Sequence, residues 1–298
     1  MKIAVLEPLG ISDESLRALL SKATQGHDVE VVTYPDRKED EETLAERSAD
    51  ADIVVVSNIK YPASVMEKNP NLKYVCVAFT GYDHVDMAYC REHGIQVSNC
   101  AGYSTVAVAD LTFGLVIDVL RNISTLNSIV RQGGTKDGLV GPELEGKRFG
   151  VIGAGAIGSR VMHIAQAFGC EVVCYSRTKK EIPGVEFVEL DELLRTSDVV
   201  SLHIPQTAET TGLISAEKIA LMKPTAVLIN CARGPVVDSE ALAAALNEGR
   251  IAGAGIDVLE MEPPFPGDHP LLNSKNTVVT PHVAFASIGV STPKVPSS

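Results

Sequence analysis

The stretch that most constrains this chain is residues 149–159, Phe-Gly-Val-Ile-Gly-Ala-Gly-Ala-Ile-Gly-Ser. A short apolar run (Phe149, Val151, Ile152) feeds directly into Gly153-Ala-Gly155-Ala-Ile-Gly158. Beyond the glycines Ile157, Val161, Ile164, Ala165 and Phe168 share one face at helical spacing. A strand, a Gly-x-Gly-x-x-Gly turn and a helix form the context of a dinucleotide site. Gly153 permits the tight turn, Gly155 lets backbone approach a pyrophosphate, and Gly158 lets helix pack closely on strand. The phosphates then meet unpaired N–H groups at the helix N-terminus. A glycine-rich turn alone is a weak signal; the apolar run at 170–175 strengthens it by completing a βαβ unit at the right distance.

At 298 residues the chain is long enough for two domains and a large core. A formal charge of −12 argues against a nucleic-acid surface, which needs clustered Lys and Arg. Nor does any apolar run approach the roughly 18 residues of a membrane span. Met1 to Leu6 is too short an apolar stretch for a secretory leader and reads as a first strand. The six cysteines (76, 90, 100, 170, 174, 231) form no Cys-x-x-Cys pair, and most fall inside apolar strands. They read as buried thiols of a reducing compartment, so the expectation is a cytoplasmic globular protein without a metal site.

Residues 1–99 alternate strand signals (3–6, 29–34, 53–57, 74–79, 96–98) with helix-like segments such as 13–20 and 41–48. That alternation predicts a parallel, flavodoxin-like sheet. Its most informative loop is Phe79-Thr80-Gly81-Tyr82-Asp83, where Gly81 serves either an anion-binding turn or an ordinary one. Residues 105–131 read as one long apolar helix, with Val108, Leu111, Leu115, Val119, Leu126 and Ile129 recurring at near-helical spacing. It fits an interdomain connector held against a second subunit, and equally a central core helix. From Lys147 a second alternation predicts strands at 148–152, 171–175, 199–203, 226–230, 254–259 and 277–280, with 186–190 as an edge. The expected class is α/β with two domains: 1–99 flavodoxin-like, and 100–283 a Rossmann doubly wound parallel sheet.

In open parallel sheets ligands bind beyond the carboxyl ends of the strands. Here those ends carry the glycines, then Ser176-Arg177, His203-Ile204-Pro205, Cys231-Ala232-Arg233, Glu260-Met261-Glu262 and Pro281-His282. Each has a bland reading: Arg233 as a solvated charge, Glu262 as a loop carboxylate, His282 as a core imidazole. Their convergence beside a nucleotide loop favours chemistry. The planar fork of Arg233 can hold a carboxylate and polarise an adjacent carbonyl. His282 can exchange the proton that accompanies hydride transfer, and Glu262 beside it favours the protonated ring. His203 reads as shaping the cofactor pocket. His27, His84, His93, His163 and His269 lack such context.

At these residues the chain resembles the D-isomer-specific 2-hydroxyacid dehydrogenases. Asn230-Cys-Ala-Arg233-Gly-Pro-Val-Val-Asp238 is similar to that family's arginine signature. Asp257-Val-Leu-Glu-Met-Glu262-Pro and Thr280-Pro-His282 are similar to its glutamate and histidine motifs. Residues 202–210, 108–112 and 78–83 match as well, so the resemblance runs from residue 1 to about 287. It implies hydride exchange between a nicotinamide and a small 2-oxo or 2-hydroxy acid, with hydroxypyruvate or glyoxylate as the type. It also implies that Arg233 binds and orients substrate, that His282 is the acid/base paired with Glu262, and that amides at Thr80, Gly81 and Tyr82 grip the substrate carboxylate. Thr112, Ala156, Ile157, Pro205, Thr210, Cys231, Ala232, Arg233 and Asp257 become cofactor contacts, and the 105–131 helix becomes a homodimer joint. A dinucleotide-sensing regulator resembling the corepressors of this fold is the alternative of a different class. Formate dehydrogenase relatives are disfavoured, since they pair the histidine with Gln.

Three departures matter. Asp110 stands where the family has Glu, and the chain ends 16 residues after His282, where the family continues into a returning helix. That leaves residues 284–298 as a shortened return segment and suggests a truncated or frame-shifted, inactive product. Ser176 replaces the acid that accepts the ribose hydroxyls and repels a 2′-phosphate. With Arg177 next and Lys179 and Lys180 close behind, the expectation is NADP(H) over NAD(H), with NAD(H) still possible.

Overall fold

The computed structural model describes residues 1–287, and all but the first four residues of the return segment expected at 284–298 lie outside the described residues. The chain divides into two compact units, Met1–Tyr103 and Ser104–Ser287.

In the first unit five strands alternate with four helices. They are β1 (Lys2–Val5), α1 (Asp13–Ala23), β2 (Glu30–Thr33), α2 (Glu41–Ser48), β3 (Ile53–Val56), α3 (Ala63–Met66), β4 (Tyr74–Val77), α4 (Met87–Glu92) and β5 (Gln96–Asn99). The strands pair in parallel in the order β2-β1-β3-β4-β5, which is the flavodoxin order. Short polar side chains start the helices: Ser12 accepts from the Ser15 N–H at 3.2 Å, and Asp40 from that of Thr43 at 2.9 Å. Glu7 follows β1 and is only 2% exposed. Its Oε1 accepts the N–H groups of Ser57, Asn58 and Ile59 at 2.6, 3.0 and 3.1 Å, while Arg37 Nη1 donates to Oε2 at 2.6 Å. A buried carboxylate so supplied ties the turn after β3 to the end of β1.

The second unit opens with α5 (Thr105–Arg121) and α6 (Ile123–Arg131), then β6 (Arg148–Ile152), α7 (Ala156–Ala167), β7 (Glu171–Tyr175) and β8 (Val185–Phe187). Next come α8 (Leu190–Thr196), β9 (Val199–Leu202), α9 (Ala216–Ile219), β10 (Val227–Asn230), α10 (Ser239–Asn247), β11 (Gly253–Ile256) and β12 (Thr277–Val279). All seven strands run parallel in the order β12-β11-β10-β9-β6-β7-β8, a doubly wound sheet that reverses its winding at β6/β9. Every residue of β9, β10 and β11 is buried, which explains their continuous apolar runs. One face of the sheet carries Leu193, Leu194, Leu242 and Leu246 from α8 and α10; the other carries Phe113, Val116, Val161 and Met162 from α5 and α7. Ser215 and Asp238 cap α9 and α10, accepting from the Lys218 and Ala241 N–H groups at 3.4 and 3.0 Å.

The single helix expected over 105–131 is two helices. Asn122 takes a left-handed backbone (φ 54°), a conformation Asn tolerates through its short polar side chain. Asp118 then accepts the Ser124 N–H at 2.8 Å and its hydroxyl at 2.5 Å, capping the next helix from behind. The break separates two environments. α5 buries seven side chains against its own unit, so it is a core helix there, whereas α6 buries none. The cysteine expectation also needs amending: Cys90, Cys170, Cys174 and Cys231 are buried, but Cys76 is half-buried and Cys100 exposed.

Candidate active site

Strand register builds the site before any side chain is considered. Tyr175 pairs with Ile152, Ile152 with Leu202, Leu202 with Asn230, Asn230 with Ile256, and Ile256 with Val279. The last residues of six strands therefore form one row, with neighbours about 4.8 Å apart. The glycines, Arg177, His203, Arg233, Glu262 and His282 all emerge from that row within a few residues.

Each glycine of the first turn has a separate physical task. Gly153 sits at φ +109°, and a Cβ there would stand 2.3 Å from the His203 carbonyl oxygen. Gly158 abuts the Gly153 carbonyl so closely that a Cβ would lie 1.9 Å from that oxygen. Around Gly155, by contrast, nothing lies within 4 Å of a Cβ position. No side chain caps α7, whose first N–H groups face that same exposed turn. A tight turn, a close helix and an uncapped helix start beside open space suit a dinucleotide pyrophosphate. Ala156 is exposed and Ile157 half-buried at this mouth.

Beyond β7, Ser176 is half-buried and Arg177 exposed, with its Nη1 3.7 Å from Glu209 Oε2. Glu209 belongs to the turn after β9, which the Thr210 hydroxyl closes by donating to the Pro205 carbonyl at 2.7 Å and accepting the Thr207 N–H at 2.8 Å. His203 Nε2 lies 2.8 Å from Ser201 Oγ, and its Nδ1 is out of solvent without a partner. Burial pulls the His203 pKa from 6.5 down to about 3, so the ring stays neutral and is no proton carrier near pH 7.

Arg233 follows β10, its backbone pinned by Asn230, whose Nδ2 donates to the Arg233 carbonyl at 3.0 Å while Oδ1 accepts the Ala232 N–H at 3.0 Å. Arg233 Nη1 donates to the Ala232 carbonyl at 2.7 Å. The adjoining Gly234 leaves no room for a side chain: a Cβ would lie 2.0 Å from the Leu259 backbone. So the arginine turn rests directly on the segment that leads to Glu262. Cys231 and Thr112 lie underneath. The Thr112 hydroxyl donates to the Val108 carbonyl at 2.8 Å, and burial pushes the Cys231 thiol up to about 12, leaving it inert.

His282 Nδ1 stands 2.9 and 2.8 Å from the two Glu262 oxygens. Since a carboxylate only accepts, Nδ1 carries a proton toward Glu262. The Phe285 ring meets the imidazole edge-on, 5.6 Å between centroids. His282 itself is left-handed (φ 52°), a strained state that must be held from outside. Asp257 holds it. Its carbonyl accepts the His282 N–H at 2.8 Å. Its fully buried carboxylate accepts from Thr280 Oγ1 (2.5 Å), the Val283 N–H (2.9 Å) and the Ala284 N–H (2.9 Å). The sequence pointed to Asp257 as a cofactor contact; the structure places it beneath the histidine turn.

In the first unit the carbonyls of Phe79, Thr80 and Tyr82 accept from the Cys100 N–H, Asn99 Nδ2 and the Val85 N–H at 3.0, 2.6 and 3.1 Å. That fixes the turn carrying Thr80, Gly81 and Tyr82. Sequence reasoning missed Asn230, Phe285, Glu209 and a cluster of Ser239, Glu260 and His269. It had set His269 aside, although His269 Nε2 is 3.1 Å from Glu260 Oε2. Nothing in local spacing announces these partners, because each is joined through the fold. Among the described residues no group of three or more His, Cys, Asp or Glu could hold a metal ion, and no helix is long and apolar enough to cross a membrane.

Residues 113–284 match the family model described as D-isomer specific 2-hydroxyacid dehydrogenase, NAD binding domain. A glyoxylate reductase of Thermofilum pendens is 42% identical over 252 residues, spanning 81% of this chain and 74% of that protein. Among solved structures, an acyclic imino acid reductase in complex with NADPH and D-Arg superposes with a TM-score of 0.88 at 33% identity, covering 97% of this chain and 92% of the other. An NADPH-dependent glyoxylate/hydroxypyruvate reductase from Sinorhizobium meliloti, in complex with NADP and malonate, gives 0.84 at 32% identity over 97% and 88%.

The buried neutral His203 makes a prediction for stability. Between about pH 3 and 6.5 the unfolded chain binds a proton there that the folded chain refuses. Its contribution is therefore complete above pH 6.5 and is lost as pH falls, by at most about 1.4 kcal/mol per unit. Urea unfolding at pH 7.5 and 5.5 should show a smaller acid loss in His203→Gln than in the wild type. Equal losses would mean that the ring charges in place.

Proposed function

The chain belongs to the D-isomer-specific 2-hydroxyacid dehydrogenases, and on that premise we propose that it reduces a small 2-oxo acid of the glyoxylate/hydroxypyruvate type in the cytoplasm. The observation that carries this reading is the His282–Glu262 pair on the same strand-end row as Arg233 and the glycine turn. When bound, the nicotinamide supplies a hydride for the 2-oxo carbon. Gly153, Gly155, Ala156, Ile157 and Gly158 receive the pyrophosphate, and the turn of His203, Pro205 and Thr210 walls the pocket. Thr112, Cys231, Ala232 and Asp257 support it from below. Arg233 orients the substrate and polarises its carbonyl, and amides at Thr80, Gly81 and Tyr82 grip the carboxylate. His282 Nε2 delivers the proton to the oxygen, while Glu262 holds the ring through Nδ1. Removing a general acid loses about 10²–10⁴ in rate. His282→Ala should show that loss in kcat with dinucleotide Kd unchanged; turnover within a few-fold of wild type sinks the assignment.

For the cofactor we propose a preference for NADP(H). Ser176 brings no charge to repel a 2′-phosphate, and Arg177 is 73% exposed and ready to meet one. Its present partner Glu209 is equally exposed, and such pairs hold by no more than about 1 kcal/mol. A doubly charged phosphate displaces it, and a tenfold preference needs only about 1.4 kcal/mol. On one substrate kcat/KM should favour NADPH over NADH, Arg177→Ala should erode the difference, and Ser176→Asp should reverse it. Equal wild-type values refute the preference.

The chain is also proposed to pair with a second copy along α5 and α6. α6 buries nothing in its own unit, and it leaves Ile123 and Val130 50% and 64% exposed. Light scattering should give twice the mass of 31.7 kDa, and Ile123→Glu/Val130→Glu should return it to the single value. A monomeric wild type contradicts this.

A further inference from the structure

Between β11 and β12 the chain makes a long excursion, and Glu262 stands on it two residues after Glu260. Glu260 is the centre of a polar cluster that the reaction as described does not use. One of its oxygens, Oε1, accepts from the Ser239 hydroxyl at the start of α10; the other, Oε2, lies 3.1 Å from His269 Nε2. The Leu271 N–H donates to His269 Nδ1 at 3.3 Å, so Nε2 carries the proton and donates to Glu260. Both partners are buried, with Ser239 7% and the His269 side chain 6% exposed. Burial pushes the Glu260 carboxyl up, but hydrogen bonds from Ser239, its own backbone and His269 hold it below the usual carboxylate range. Asn273 Nδ2 donates to the Gly267 and His269 carbonyls at 3.0 and 3.3 Å, fixing the far end.

These three residues look like a nucleophile–base set, but the order is wrong for one. The carboxylate lies between serine and histidine, so the hydroxyl donates to an acceptor and no imidazole is placed to take its proton. What the cluster does is mechanical. It joins residue 260 to residue 269 and anchors both to α10, closing the loop at its base. On the other side Gly234 lies against the Leu259 and Glu260 backbone with no space for a Cβ. Inside this closed base Glu262 has a side chain 48% exposed. Packing around that side chain is thin, so the aim of its carboxylate depends on the loop's footing.

We propose that Ser239, Glu260 and His269 are positioning residues that hold Glu262 in register with His282 Nδ1. This rests on the reading of His282 and Glu262 as the reaction centre. The direct readout is the downfield imidazole Nδ1–H signal of His282 in the full chain, assigned by its loss in His282→Ala. It should be sharp in the wild type, absent in Glu262→Gln, and broadened or lost in Ser239→Ala and His269→Gln. With glyoxylate and NADPH, each of those two variants should lose roughly tenfold in kcat, the scale of a sub-ångström misplacement, while KM for NADPH stays within twofold. Placed on Glu262→Gln, the same changes should cost less than twofold more, because the residue they aim is already disabled. The clamp is overturned if the His282 signal stays sharp in both variants, or if their full loss persists in the Glu262→Gln background. A sharp signal in Glu262→Gln instead overturns the reaction centre, and the clamp's purpose with it.

Discussion

The single parallel register of the second sheet is the constraint on which everything functional depends. Six strand ends stand in one row, so loops that share no sequence proximity open side by side. Three of those strands are buried along their whole length, and close-packed neighbours on both faces leave them little freedom. Loops can then differ in length and chemistry without disturbing the spacing of their roots. Arg233 leaves its strand after three residues, His282 after three, and Glu262 only after six. The longest of these excursions is the one that carries additional bracing.

Both units solve the problem of fastening strand ends with the same device, a buried carboxylate that collects backbone N–H groups from the turn of a neighbouring strand. In the first unit Glu7 takes three such groups and a guanidinium. In the second Asp257 takes two and a hydroxyl. Hydrogen bonds to a charged group contribute about 1.5–3 kcal/mol each, and a buried carboxylate with fewer of them would be a liability. In both cases the turns supply the bonds that a buried carboxylate needs. Fold and site share this arrangement: Asp257, through its carboxylate and its carbonyl, also keeps His282 in its strained backbone state.

Much of this was legible in the residues. Gly153, Gly155 and Gly158 announce three distinct geometric tasks, and the strands at 148–152 and 171–175 fall where apolar runs place them. Arg233, Glu262 and His282 could be drawn to one edge because a parallel sheet delivers all its carboxyl ends there. What failed to show was of two kinds. Asn122 interrupts an apolar period that otherwise runs on, and periodicity cannot register one left-handed residue. The other kind is pairing across the fold. Glu260 and His269 lie nine residues apart and Ser239 twenty-one before Glu260, separations no helical or strand period connects. The burial of Asp257 and its bonds to the histidine turn were likewise not legible, since burial is a property of the packed chain and not of a motif.

The left-handed backbone at His282 also limits which residues that position can hold. Most side chains resist that conformation by about 1–2 kcal/mol, whereas Gly, Asn and Asp accept it with ease. The position is therefore selective in a way set by the backbone: it resists Glu, Lys or Tyr and accepts Gly, Asn or Asp. Exchange at this one position therefore most easily brings in Gly, Asn or Asp, which keep the turn and remove the imidazole.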